Sequence, residues 1–273
     1  MTPWAERASA PRSLLGGPGA AGSSSRAATD RLLRGLREEG WTTTAWARFL
    51  GRAALRSASE ALRHAPALAE ATVLHWAFAL AAPSRRRHWV AASWALTVTH
   101  LGMLEDRRTL GPANILTLVR ANLPALEDRL GPLLPIAALA TDFLDGQISR
   151  STRTQTPFGR DADFIADAAV WNWHAAQHEP SALLRLAAAV VWAGPIAAVV
   201  VSSFAGAGMK DVPRSPWIRP AAALQVVLAA RALLRPAIPD RRDTAEMRQR
   251  HGLDWLLQCG KGREGMTRPQ RSG

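Results

Sequence analysis

Four aspartates stand close together in the segment Thr141–Asp167, TDFLDGQISRSTRTQTPFGRDADFIAD. Asp142 and Asp145 are spaced i,i+3, and Asp163 and Asp167 are spaced i,i+4, so each pair shares one face of a helix. Gly146, Arg150 and Gly159 lie between the pairs. Ser151 to Gly159 is rich in turn formers and lets two helices fold back on each other. Four facing carboxylates repel strongly unless cations lie between them. Hard oxygen ligands of this kind suit Mg²⁺ or Mn²⁺, ions that most often serve phosphate chemistry.

The pattern reads Asp142-x2-Asp145-Gly146-x2-Ser149-Arg150-x8-Gly159-x3-Asp163-x3-Asp167. It resembles the signature of the CDP-alcohol phosphatidyltransferases, D-x2-D-G-x2-A-R-x8-G-x3-D-x3-D. Every fixed position matches without a gap except Ser149, where the family usually has Ala. Seven such matches arise by chance about once in a million chains of this length, which makes the signal specific. A looser likeness covers Gly111 to Arg120, because the family often opens a membrane helix with P-N-x-x-T-x-x-R. Here Ala113 separates Pro112 from Asn114.

The resemblance implies a transfer of a phosphatidyl group from a CDP-alcohol, such as CDP-diacylglycerol, to an acceptor alcohol, releasing CMP. It implies a two-metal site of Mg²⁺ or Mn²⁺, with Asp142, Asp145, Asp163 and Asp167 as ligands. Asp167, one turn after Asp163, is the expected general base. Gly146, Arg150 and Gly159 would form the CDP pocket, with Asn114 and Thr117 near the nucleotide. The glycines permit close approach of the nucleotide, and the planar guanidinium of Arg150 suits phosphate. The family often has Lys or Arg after the last aspartate. Ala168 here counts against a phosphorylated acceptor such as glycerol phosphate or inositol phosphate.

Plainer readings exist for each residue alone. Aspartates at helix ends are usually caps, and an arginine among Ser and Thr is usually solvated. Asn114 and Thr117 read equally as an N-cap and an intrahelical hydroxyl, and Asp161 as the cap of the second helix. His174 and His178 have metal-ligand spacing but read as interfacial side chains. Arg120 and Arg231, inside apolar helices, could reach an acceptor phosphate but read more simply as snorkelling to the interface. The joint acidic pattern is what overrides these readings, because carboxylates in apolar helices are costly unless functional.

The elements that must position these residues are helical. Thr29 to Ala65 reads as Arg-rich amphipathic helix anchored by Trp41, Trp46, Phe49 and Leu50, packed on the body or lying on a membrane surface. Ala67–Ala82 and Trp89–Leu104 read as apolar helices joined by an Arg85-Arg86-Arg87 turn, which would mark the cytoplasmic side of a membrane. Leu133–Ile148 and Asp161–Gln177 carry the aspartates. Leu183–Phe204 is long enough to span a bilayer, with a kink expected at Pro195. Trp217–Leu234 is a further candidate. Between Thr117 and Asp142 the flanking helices look too short, about 20–24 Å, for a core of about 30 Å.

The expected fold is therefore all-α, a polytopic membrane bundle of about six transmembrane helices with disordered ends. The expected divisions are 1–28 disordered, 29–66 amphipathic, 67–235 the bundle with the motif at 142–167, and 236–273 a polar tail. The expected place is a bacterial cytoplasmic membrane, multi-pass, with the active site facing the cytoplasm. A homodimer is plausible by resemblance alone.

Composition narrows the alternatives. The net charge is +12, but only Lys210 and Lys261 among the 34 basic residues are lysine. That is the usage of a GC-rich coding sequence, and no nucleic-acid signature accompanies it. The single Cys259 excludes an internal disulfide. Isoprenoid-diphosphate enzymes also use Asp-rich helices, but their D-D-x-x-D motifs are absent. The remaining alternative is a catalytically inactive relative acting as a membrane scaffold or lipid-binding protein.

Overall fold

A computed structural model describes residues 20–152, 156–210 and 215–234. The described residues form helices and no strands. The contacts divide the chain into Met1–Ala232 and Leu233–Gly273, and the helices below belong to the first unit, save the last two residues of the final one. The expected polar tail and Cys259 fall outside the described residues.

Two amphipathic helices come first, α1 (Ala20–Glu38) and α2 (Thr43–Arg63). Helix α1 begins inside the segment expected to be disordered. Its alanines favour helix, and Ala28, Leu33 and Leu36 are buried. Thr42 caps α2 by accepting from the Ala45 amide at 3.2 Å. Trp41, Trp46 and Phe49 gather around Phe204, with Trp46 stacked on it at 5.7 Å, so these three pack on protein. Leu50 remains exposed.

The body follows as α3 (Ala65–Ala81), α4 (Arg87–Thr99), α5 (Gly111–Asn122), the single turn α6 (Glu127–Leu130), α7 (Leu134–Thr152) and α8 (Pro157–His178). The expected second apolar helix stops five residues early, at Thr99, and Leu101–Leu104 continues as a 3₁₀ turn. Helix α7 has 19 residues, or about 28 Å, longer than expected. Helix α8 starts four residues before Asp161, because Thr156 and Pro157 supply an N-cap and a first-turn proline. Asp161 is therefore not the cap; it pairs with Arg160 at 3.2 Å.

Next come α9 (Ala182–Ala188), a π-helical turn at Ala189–Ala193, α10 (Gly194–Gly206) and α11 (Ser215–Leu234). The π turn sits just before Pro195 and accommodates the missing proline amide, where a kink was expected. Ala182–Gly206 is continuous over 25 residues, with mean hydropathy 2.0, long and apolar enough to cross a membrane. Among the described residues, no other helix meets both requirements; α3 is apolar but has 17 residues.

Three buried patches hold the bundle. The largest joins α7, α8, α9 and α11 around Trp171 and Trp192, stacked at 6.4 Å. A second joins α2, α3 and α5 with Phe158 of α8, and a third lies under Phe78 and Val90. A buried polar network ties α3, α4 and α5 together. Asn122 donates to Ser93 at 3.0 Å and to the Leu118 carbonyl at 2.9 Å. His75 lies 3.0 Å from the same Ser93 hydroxyl.

Chain direction sorts the loops between two ends of the bundle. Asn114 meets Gly159 at one end, and α1 and α2 join it there, as Ser57 donates to the Thr99 carbonyl and Asp30 accepts from Met209. At the other end Arg85 pairs with Asp128 at 2.6 Å, Arg86 pairs with Glu127, and His178 approaches Glu127 at 2.5 Å. His178 stands 15 residues past Asp163, about 22 Å along α8. The arginine turn and the aspartates thus lie at opposite ends, so they cannot both mark the same side of a membrane that α8 crosses.

Replacing Asn122 with Ala is expected to lower stability by about 1–2 kcal/mol, because Ser93 and His75 lose a buried partner. Thermal unfolding of the detergent-solubilised protein measures this, and an unchanged midpoint would refute the network's role.

Candidate active site

Helix α5 is the central element. It runs antiparallel to α7, because Thr117 meets Asp145 while Arg120 meets Asp142. It runs parallel to α8, because Asn114 meets Gly159 while Arg120 meets Asp163. The three helices therefore bring both aspartate pairs to one place.

Arg120 occupies the middle. Its Nη1 lies 2.7 Å from Asp142 and 3.2 Å from Asp145, its Nη2 bonds Asp163, and its Nε lies 3.1 Å from Asp167. The Arg120 side chain is 0% exposed, whereas Asp142 is 40% and Asp163 46% exposed. The guanidinium is thus sealed inside, and two of its partners face outward. Thr117 supports Asp145 by donating to its Oδ2 at 3.0 Å. Gln225 of α11 donates to Asp167 Oδ2 at 3.1 Å.

Asp142, Asp145 and Asp163 each offer an oxygen, and these atoms lie within 4.8 Å of one another. Asp167 does not belong to this trio; it is held on the other side by Gln225. Four carboxylates against one guanidinium leave a net negative charge, and the donors are all hard oxygens. The trio therefore fits a divalent cation such as Mg²⁺ or Mn²⁺.

Beside the trio opens a cleft of about 390 Å³. Asn114, Thr117, Gly146, Arg150 and Gly159 all line it, with Asp145 and Asp163 at its inner side. All five residues expected near a nucleotide thus share one space. Arg150 folds back over Gly146, where a Cβ would meet its Nη1 at 3.0 Å. At Gly159 a Cβ would collide with Asn114 Oδ1 and touch Thr156 Oγ1 at 3.3 Å. Glycine is what lets α8 approach α5 this closely. Asn114 does not cap α5; it donates back to the Leu110 carbonyl at 2.8 Å.

The sequence profile of the CDP-alcohol phosphatidyltransferases matches residues 110–256, more than half of the chain. The chain belongs to the CDP-alcohol phosphatidyltransferase family. No curated protein and no solved structure matches it. The family segment begins at α5, so α1 to α4 lie outside it.

Several expectations need revision. Arg120 does not snorkel, because α7 and α8 cover it and four carboxylates hold it. The spacing Asn114-x2-Thr117-x2-Arg120 was the available signal, since polar residues three apart share a helix stripe. Arg231 does not reach the cleft; it forms a two-point pair with Glu179 at 2.9 and 3.0 Å. Ala168 is buried in the core with Trp171 and Leu134, facing away from the cleft. Gln225 escaped notice, though it is the one uncharged polar residue in the run AAALQVVLAA.

The Gly159→Ala variant is expected to lose about 1–3 kcal/mol through overpacking against Asn114. Gly51→Ala, where nothing lies within 4 Å of the added Cβ, should be neutral or stabilising by up to about 1 kcal/mol. Paired thermal melts test the contrast, and equal shifts in both variants would refute the close approach.

Proposed function

We propose that the protein transfers a substituted phosphoryl group from a CDP-alcohol, such as CDP-diacylglycerol, to an acceptor alcohol and releases CMP. The observation that carries this reading is the convergence of Asp142, Asp145 and Asp163 within 4.8 Å beside the cleft that Gly146, Arg150 and Gly159 line. The acceptor oxygen forms a bond to the lipid-side phosphorus, and the bond from that phosphorus to CMP breaks. Asp167 takes the acceptor's proton. Asp142, Asp145 and Asp163 would hold a divalent metal, with Asp167 as a further contact. Such an ion would supply positive charge to the pyrophosphate and to the leaving oxygen. Arg150 and the cleft's glycines receive the cytidine diphosphate, with Asn114 and Thr117 on the α5 side.

The same reading places the protein in a bacterial membrane as a multi-pass bundle, with CDP-alcohol and acceptor entering at the cleft. Large apolar side chains support it, since Val73 and Trp76 of α3, Trp94 of α4, Phe143 of α7, Val201 of α10 and Val226 of α11 are all exposed. Helices α3, α4, α5, α7, α8, α9–α10 and α11 alternate in direction, as successive passes of a multi-pass bundle would. The arginines of α1 and α2 gather at the cleft end, so the cleft faces the cytoplasm and its anionic leaflet. Pairing of two copies through membrane helices is compatible with these apolar faces.

CMP release from CDP-diacylglycerol, with a panel of alcohols and with or without Mg²⁺ or Mn²⁺, tests the chemistry. Metal-dependent release stimulated by one alcohol is expected, and Asp167→Asn should cut it by about 10²-fold or more. Folded protein that releases no CMP with any alcohol would favour the non-catalytic scaffold.

Sidedness is tested in a Cys259→Ser background. Arg52→Cys should label from the cytoplasmic side, and Ser84→Cys from the opposite side. Labelling of both from one side would overturn the topology.

A further inference from the structure

We propose that Arg120 is an exchangeable internal counter-ion that competes with divalent metal for the carboxylates. This rests on the reading of Asp142, Asp145 and Asp163 as a metal site. The three aspartates whose oxygens converge within 4.8 Å are all partners of the guanidinium. Nη1 lies between Asp142 and Asp145, and Nη2 bonds Asp163. The Asp142 Oδ1, Asp145 Oδ2 and Asp163 Oδ1 lone pairs turned toward Arg120 cannot also serve a cation in the same space. Metal that takes these same three oxygens displaces Nη1 and Nη2 from them.

The position of Arg120 makes this exchange meaningful. Without a positive charge, four carboxylates on two facing helices would force α7 and α8 apart. Arg120 holds them in register, so the trio is already assembled when metal arrives. Helix α5 fixes its backbone, and Asp167 at 3.1 Å from Nε provides a contact that the trio does not share. The guanidinium can stay near Asp167 while its two outer nitrogens turn away. Thr117, one turn before Arg120, lines the nucleotide cleft. Nitrogens released toward that side meet the region where a pyrophosphate binds, and guanidinium pairs well with phosphate oxygens. Arg120 thus couples the two ligands. Metal frees the guanidinium, and a diphosphate gives it a new partner, so each ligand favours the other.

The test is Mn²⁺ binding, read by the loss of the free-ion electron paramagnetic resonance signal, in the full-length detergent-solubilised protein. Wild type, Arg120→Gln and Arg120→Lys are compared, each with and without CDP. The expected result is at least about tenfold tighter Mn²⁺ binding in Arg120→Gln without CDP, because a competing positive charge is gone. CDP should tighten Mn²⁺ binding in wild type by more than in Arg120→Gln. Thermal melts should show Arg120→Gln destabilised without metal and recovered by Mn²⁺. If Arg120→Gln does not fold, Arg120→Lys carries the test. Its ammonium cannot bridge three carboxylates at once, so it too should bind Mn²⁺ more tightly than wild type. Equal or weaker Mn²⁺ binding in a folded variant would overturn the proposal. Asp142→Asn separates the two readings: wild type that binds no more Mn²⁺ than Asp142→Asn would overturn the metal site itself and the exchange with it.

Discussion

One buried guanidinium pairs with four carboxylates, and the helical body is arranged around that cluster. A charge with no exposure inside an apolar bundle is expensive unless its partners are close and well aligned. Arg120 meets this condition only because α5 lies between α7 and α8 with opposite chain directions on its two sides. Moving one helix by a turn would leave a buried charge without its partner. The apolar packing of Leu134, Trp171 and Leu228 fixes that register from behind. Packing and electrostatics here are one constraint.

The rest of the body supports this arrangement from outside. Helices α3 and α4 stand before the family segment and cover α5 through the Asn122, His75 and Ser93 network. Ion pairs of Arg86 with Glu127 and of Arg231 with Glu179 close the opposite end, and His178 also approaches Glu127 there. Helices α1 and α2 close the cleft end through Trp46 and Phe204. Exposed apolar side chains are left to the outer faces, as a lipid surroundings would require.

The spacing of the aspartates on two helices, the family, and the helical character of every element could be read from the chain alone. They depend on local periodicity and on residue types at fixed offsets, which a sequence states directly. The amphipathic start and the long apolar Ala182–Gly206 helix were legible for the same reason. Boundaries were less so. Thr156 and Pro157 moved the start of α8, and the π turn absorbed Pro195, because capping and bulges depend on a few atoms rather than on a repeating pattern.

Only the tertiary structure decided what each charged residue faces. An arginine in an apolar helix reads the same whether it points to lipid headgroups or to the bundle's centre; the neighbours of α5 put Arg120 at the centre. Ala168 seemed a missing positive charge until its burial in the core removed it from the cleft. The arginine turn reads as a free positive cluster in the sequence, and the fold pairs Arg85 with Asp128 and Arg86 with Glu127 at the end of α8 away from the aspartates. Local sequence determined which groups the protein has and how they repeat along a helix. Which of them meet is set by long-range packing, because contacts between α5, α7, α8 and α11 join residues far apart in the chain.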